Sequence, residues 1–191
     1  MSFDRGPMDR AELCRRLLME RDRFVAGPDH ALAEAALANC LTGVLRQLDP
    51  GCVGLYWPIR SEFNAVAACA RDPVIAEARW ALPHTLREPP SVHYRHWDRR
   101  PPTLVDEAGV PSCDGAPVQP DVVLLPCVGY TAGAHRLGYG AGYFDRWLAT
   151  HPGVTAVGVA WSIGLLQPGD FVAQPHDAPL MLVVTDRGVI G

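Results

Sequence analysis

The Val-Val-Leu-Leu run inside residues 121–125 constrains the fold more than any other feature of the chain. A strand whose successive side chains are all apolar has no face to give to water. It belongs at the centre of a sheet covered on both sides. Residues 154–161 and 180–185 read as two more strands, and 52–57 as a short apolar strand ending in aromatics. Helical patterns alternate with these runs. Residues 9–25 place Leu13, Leu17, Leu18, Phe24 and Val25 at helical spacing among arginines, and 30–48 form an Ala/Leu-rich helix with Asp29 as its N-cap. Ser61 is the expected N-cap of a third helix over 62–71, and 142–150 make a fourth. Short helix is expected at 74–77, and a strand at 79–82 closed by Pro83. In the Pro- and Arg-rich stretch 84–120 only 93–97 reads as a strand. The pattern is a single α/β domain over residues 1–191 with a largely parallel central sheet.

Composition narrows the chemistry. All 17 basic residues are arginine, so Schiff-base and pyridoxal-phosphate chemistry and a Walker-type phosphate loop, each of which needs a lysine, are excluded. A net charge of −4 gives no global field for nucleic acid, and no apolar run is long enough to span a membrane. The first ten residues carry Asp4, Arg5, Asp9 and Arg10 without an apolar stretch, unlike a secretory leader. The six cysteines are scattered, with no CxxC pair, and most sit in apolar segments as in GCVGLYW. They read as small buried hydrophobes in a reducing compartment, so the expected location is the cytoplasm.

The segment DVVLLPCVGYTAGAHRLGYGAGYFDRWL carries the most information about function. A buried strand enters a long loop that ends in Arg136, three glycines at alternate positions (Gly138, Gly140, Gly142), and the start of a helix. Glycines there allow close backbone approach, their N–H groups can converge on an anion, and the helix directs its positive end to the same place. Arg136 adds a guanidinium suited to phosphate. Glycines alone fit a surface turn equally well, and the spacing is not the dinucleotide fingerprint.

The segment RLGYGAGYFDRWL closely resembles the signature of the 5-formyltetrahydrofolate cyclo-ligase (methenyltetrahydrofolate synthetase) family. Further pieces follow the family's order: a basic N-terminal helix, YWPIRSEFN, the LLP strand end and QPHDAPLMLVVTD. The resemblance implies a three-layer α/β/α fold. It also implies ATP-dependent conversion of 5-formyltetrahydrofolate to 5,10-methenyltetrahydrofolate with Mg²⁺. The implied ATP site comprises Arg10 and Arg136, Leu137, Gly138, Tyr139, Gly140, Ala141, Gly142 and Tyr143, with Arg136 and Tyr143 as catalytic residues. Trp57, Glu62 and Tyr143 would contact the folate, and Asp145 and Asp177 would carry the metal. The implied partners are reduced folate and ATP, with a monomeric chain and no nucleic-acid or membrane partner. Arg87, Arg95, Arg99 and Arg100 are candidates for a basic rim receiving a polyglutamate tail.

The chain departs from the family in places. Cys14 stands where the N-terminal helix usually carries a second cation, Arg10 replaces a lysine, and Thr131 and Ala134 replace an aspartate and a glycine. Two alternatives therefore stand beside the cyclo-ligase reading. One is a divergent folate- or nucleotide-binding paralogue with little turnover; the other is a sugar-phosphate isomerase-like enzyme on a similar scaffold.

Overall fold

The computed structural model describes residues 9–191; the part of the leader argument that rests on residues 1–8 lies outside them. In chain order the elements are α1 (Arg10–Val25), α2 (His30–Leu48), β1 (Cys52–Gly54), α3 (Ala65–Arg71), β2 (Arg79–Arg87) and β3 (Pro90–His96). A two-stranded ribbon follows, β4 (Leu104–Val105) with β5 (Pro111–Ser112), and then β6 (Val122–Pro126). The strand pair β7 (Gly129–Tyr130) and β8 (Arg136–Leu137) precedes α4 (Tyr143–Thr150), β9 (Thr155–Val159), β10 (Leu182–Thr185) and β11 (Gly188–Ile190). The main sheet has seven strands in the order β11-β10-β9-β6-β1-β2-β3. Its five central strands are parallel, and the antiparallel strands β11 and β3 close the two edges.

The apolar strands behave as their patterns require. In β6, Val122 and Leu124 face a core made with α2 and α3, while Val123 and Leu125 face a second core that includes Trp147 and Leu148 of α4. Both faces of the sheet are thus covered, which gives three layers. The helix α1 does something different. Its buried Leu13 and Leu17 pack on Val128, Leu137 and Leu166 at the β7–β8 ribbon, while Phe24 and Val25 at its C-terminal end reach the main core.

Several local expectations are corrected. Asp29 makes no side-chain cap on α2, because its backbone is already helical (φ −84°, ψ −5°) and its carboxylate is not turned back over the first N–H groups. The third helix begins at Ala65, capped by Asn64 onto the Ala67 N–H at 2.9 Å. Ser61 is instead held by α1, receiving Arg21 Nε and donating to Asp22. The strand expected to stop before Pro83 runs on to Arg87. Pro83 is in phase with Thr85, whose N–H and C=O turn away from β3 to Asp106 and Glu107, so β2 loses no bond to β3 at the proline. The β4–β5 and β7–β8 ribbons and β11 carry too few residues for periodicity to reveal.

Asp72, after α3, accepts the N–H groups of Val74 and Ile75 and pairs with Arg46 at 2.7 Å. Burial alone would raise its pKa, but the Arg46 hydrogen bond and the two N–H groups outweigh it and leave the carboxyl below its usual range. Its stabilising contribution is therefore complete above the unfolded value near ~4 and is lost as pH falls through the lowered folded value. Asp72→Ala should cost about 1–2 kcal/mol at pH 7. The gap to wild type, read from urea midpoints, should shrink below about pH 4.

Candidate active site

The strand order places β2 on one side of β1 and β6, β9 and β10 on the other, so the winding reverses between β1 and β6. Connections leaving two such strands diverge and open a crevice beyond their C-terminal ends. Tyr56 and Trp57 follow β1 and Pro126 ends β6, and all three line a cleft of about 760 Å³. The cleft also gathers every site residue expected from the sequence: Arg10, Trp57, Glu62, the run from Arg136 to Tyr143, Asp145 and Asp177.

The glycine loop is built from below. The β7–β8 ribbon turns through Thr131 and Ala134, and Ala134 takes φ 56°, a left-handed backbone that favours the glycine of the resembled family. The ribbon delivers Arg136, 8% exposed, beneath the loop. Its Nη2 donates to Asp145 Oδ1 at 2.8 Å, and its Nε is buried without a partner. Gly140 (φ 92°) and Gly142 (φ 64°) hold the backbone in conformations that other residues rarely adopt, and Gly142 caps α4. Arg146 fastens the loop from the helix side through the Ala141 carbonyl, with its guanidinium over the Tyr143 ring.

Each expected metal-binding carboxylate is paired with an arginine. Asp145 Oδ1 takes Arg136 and the Ala178 N–H, leaving Oδ2 without a protein donor among the described residues. Asp177 is held by both Arg10 amino groups and by the Gln174 N–H. Burial would raise its pKa, but these bonds win and keep it below the ordinary carboxylate range. Arg10 also lies over the Phe171 ring and donates to the Val172 carbonyl. Among the described residues no three His, Cys, Asp or Glu side chains converge as a metal cage.

On the other side of the loop, Glu62 accepts the Ile59 N–H at Oε2 and the Tyr139 hydroxyl at Oε1. Burial pushes its carboxyl up, against the pull of these bonds and of Arg21 and Arg60. Trp57 is half-buried and stands edge-on to Trp97. Trp97 is buried, donates to the Arg100 carbonyl and lies outside the cleft lining.

Cys14 does line the cleft, its thiol pointing at the Gly138 carbonyl at 3.8 Å. Burial raises its pKa, so it supplies no charge where the family has a cation. Arg15 is exposed and Arg16 pairs with Glu20 and Asp170, so neither replaces it. The candidate basic rim is not assembled at the cleft. Arg99 lies over Trp80, Arg100 pairs with Asp98, Arg95 donates to the Cys113 carbonyl, and none of them nor Arg87 is in the lining.

The sequence reading missed the wall made by Thr85, Asp106 and Val110. Asp106 organises it, accepting the N–H groups of Thr85, Ala108 and Val110. Its turn is signalled only by an Asp three residues before Gly109, whose φ is 84°. Arg21 was missed as well; it is 3% exposed and bonds Ser61 and Tyr139.

The architecture is that of the methenyltetrahydrofolate synthetases. The solved 5,10-methenyltetrahydrofolate synthetase of Mycoplasma pneumoniae superposes with a TM-score of 0.70 at 22% identity, covering 94% of this chain and 99% of that one. That of Aquifex aeolicus gives 0.75 at 22% identity, covering 96% and 92%. In sequence, the chain is similar to the 5-formyltetrahydrofolate cyclo-ligase of Mycoplasma pneumoniae, with 41% identity over 72 residues. That match spans 37% of this chain and 42% of the relative, less than half the length of either. No family model matches the chain.

Asp145→Ala should expose the structural share of that carboxylate. It leaves the Arg136 guanidinium buried and unpaired, which should cost about 3 kcal/mol in urea unfolding. A cost near zero would mean that Arg136 finds water or another partner.

Proposed function

We propose that this chain is an ATP-dependent cyclo-ligase that converts 5-formyltetrahydrofolate to 5,10-methenyltetrahydrofolate, releasing ADP and phosphate. The observation that carries the reading is the convergence of the glycine loop, Arg10, Trp57, Glu62, Asp145 and Asp177 on one cleft at the β1/β6 switch point. The fold of the solved synthetases and the partial match to the curated cyclo-ligase support it.

The formyl carbonyl is amide-like and its oxygen leaves poorly. Transfer of the γ-phosphoryl group to that oxygen breaks the bond to ADP. Attack by the neighbouring folate nitrogen on the formyl carbon then closes the ring and expels phosphate. Such chemistry asks the protein to position groups and neutralise charge. The N–H groups from Gly138 to Tyr143 and the guanidiniums of Arg10 and Arg136 are the cleft's anion binders. Glu62 accepts N–H groups of the pterin, and Trp57 offers an aromatic face to it. Tyr143 stands where the loop meets the substrate side.

The carboxylates suit a Mg²⁺ held mainly by phosphate and water, since Mg²⁺ keeps several waters and takes one or two protein carboxylates. Asp145 would hold it through the free Oδ2, and Asp177 would join if Arg10 turns to phosphate. The ion supplies neutralisation of phosphate charge when bound. No described helix is long and apolar enough to cross a membrane. Six unpaired cysteines favour a reducing, cytoplasmic setting, with the chain acting as a monomer on reduced folate and ATP.

Mixing the protein with 5-formyltetrahydrofolate, ATP and Mg²⁺ should raise the ultraviolet absorbance of the methenyl product, and the rise should need all three. Arg10→Ala should raise the KM for ATP about tenfold, as expected for one charge-assisted hydrogen bond. A flat wild-type trace that becomes active in Cys14→Arg would mark a binding paralogue with a weakened nucleotide site. Turnover without ATP would select the isomerase-like alternative.

A further inference from the structure

Glu62 is not held by its own segment alone. Its Oε1 accepts the Tyr139 hydroxyl at 2.7 Å, and that hydroxyl accepts Arg21 Nη2 at 2.8 Å. Arg21 is fixed in turn by Ser61 Oγ at 3.1 Å, and Ser61 by Asp22 and, at its carbonyl, by Trp161 Nε1. Two guanidiniums lie over the tyrosine ring, Arg21 at 6.0 Å and Arg60 at 5.7 Å from its centroid. Arg60 reaches it from a left-handed backbone (φ 54°), a conformation a non-glycine residue keeps only where its surroundings impose it. Tyr139 stands between Gly138 and Gly140 of the glycine run, so one side chain joins the anion-binding loop to the acid.

We propose that Tyr139 is a positioning residue for Glu62: its hydroxyl, held by Arg21, orients the carboxylate toward the reduced folate and ties it to the glycine loop. The inference rests on the folate reading given above. It assigns Tyr139 a side-chain role distinct from the backbone role of its neighbours, and it gives Arg21 a function through Tyr139. A carboxylate offers about four acceptor positions. Tyr139 and the Ile59 N–H occupy one on each oxygen, which fixes the plane of the group and leaves the others for substrate N–H donors.

Several groups surround Glu62. Arg21 and Asp22 come from α1, Tyr56 from the end of β1, Arg60 from the following turn, Tyr139 from the loop and Cys127 from beyond β6. Tyr139 is the group among them that donates a side-chain hydrogen bond to the carboxylate, and this bond favours the ionised form. Removing it should raise the Glu62 pKa further.

Tyr139→Phe keeps the ring and removes only the hydroxyl. Calorimetric titration with 5-formyltetrahydrofolate from pH 5 to 8 should show affinity about tenfold weaker at neutral pH. The loss of affinity toward acid should begin at a higher pH than in wild type. ATP affinity should stay within about twofold, because removal of the hydroxyl leaves the loop N–H groups in place. In a Glu62→Ala background, which removes the acceptor of the Tyr139 hydroxyl, Tyr139→Phe should have a much smaller effect. Unchanged folate affinity with an unchanged acid limb overturns the proposal. So do equal losses for folate and ATP, or additive effects in the double variant, since either means that the hydroxyl merely supports the loop. A wild type that binds 5-formyltetrahydrofolate without turnover counts against the proposed reaction and leaves this comparison intact. A wild type that does not bind it overturns both.

Discussion

Parallel pairing governs this molecule. A parallel strand cannot turn straight back into its neighbour, so each connection must cross a face of the sheet. Here α2 and α3 cover one face and α4 covers the other. All five parallel strands consequently end on one edge, and the reversal of winding between β1 and β6 parts the loops there. The cleft is a consequence of topology before any of its residues is chosen. The turn after β1 supplies the acceptor side with Trp57 and Glu62; the long excursion after β6 supplies the anion side. The helix α1, bound to the β7–β8 ribbon through Leu13 and Leu17, closes the remaining side and brings Arg10 to it.

The electrostatics of that cleft are balanced internally. Arg136 is bound to Asp145, Arg10 to Asp177, and Arg21 reaches Glu62 through Tyr139. A buried guanidinium left alone is costly, and so is a buried carboxylate. The resting pairs therefore let the chain fold with its charges already in place. A ligand that brings only negative charge can use the loop N–H groups and the unpartnered Arg136 Nε, but it sets its charge beside Asp145 and Asp177 with nothing to offset it. A ligand that brings phosphates together with a divalent cation lets both halves of each pair exchange partners. The arrangement thus favours the combination that the proposed reaction uses.

How much of this was legible in the sequence depended on whether the signal was local. β6 could be read from an uninterrupted apolar run, β9 from a largely apolar one, and α1 and α2 from helical spacing, because burial on defined faces leaves a pattern in neighbouring residues. The glycine run could be read because the backbone geometry it serves lies within the run itself, as the positive φ of Gly140 and Gly142 shows. What failed was set by distant partners. Ser61 looked like a cap but is bound by Arg21 and Asp22 from a helix some 40 residues earlier. Pro83 looked like a strand end because nothing nearby reveals that its missing N–H faces away from β3. The wall at Thr85 and Asp106 depends on a ribbon of two-residue strands, too short for any period to show.

The inner face of α1 shows the same limit and a way past it. Arg10, Cys14, Leu17 and Arg21 fall at intervals of four, three and four, one stripe of an α-helix. Among the seven arginines between positions 5 and 46, composition gives no reason to prefer one. Phase does: Arg21 shares the stripe of Arg10 and of buried Leu17, whereas Arg15 and Arg23 point to solvent. Eleven residues at 1.5 Å each separate the two inward cations by about 16 Å. They act on different groups. Arg10 meets Asp177, and Arg21 meets Tyr139 and, through it, Glu62. The neutral Cys14 between them removes charge from the middle of the stripe, so α1 presents a cation at each end of its inner face and leaves the stretch between to the loop N–H groups and Arg136.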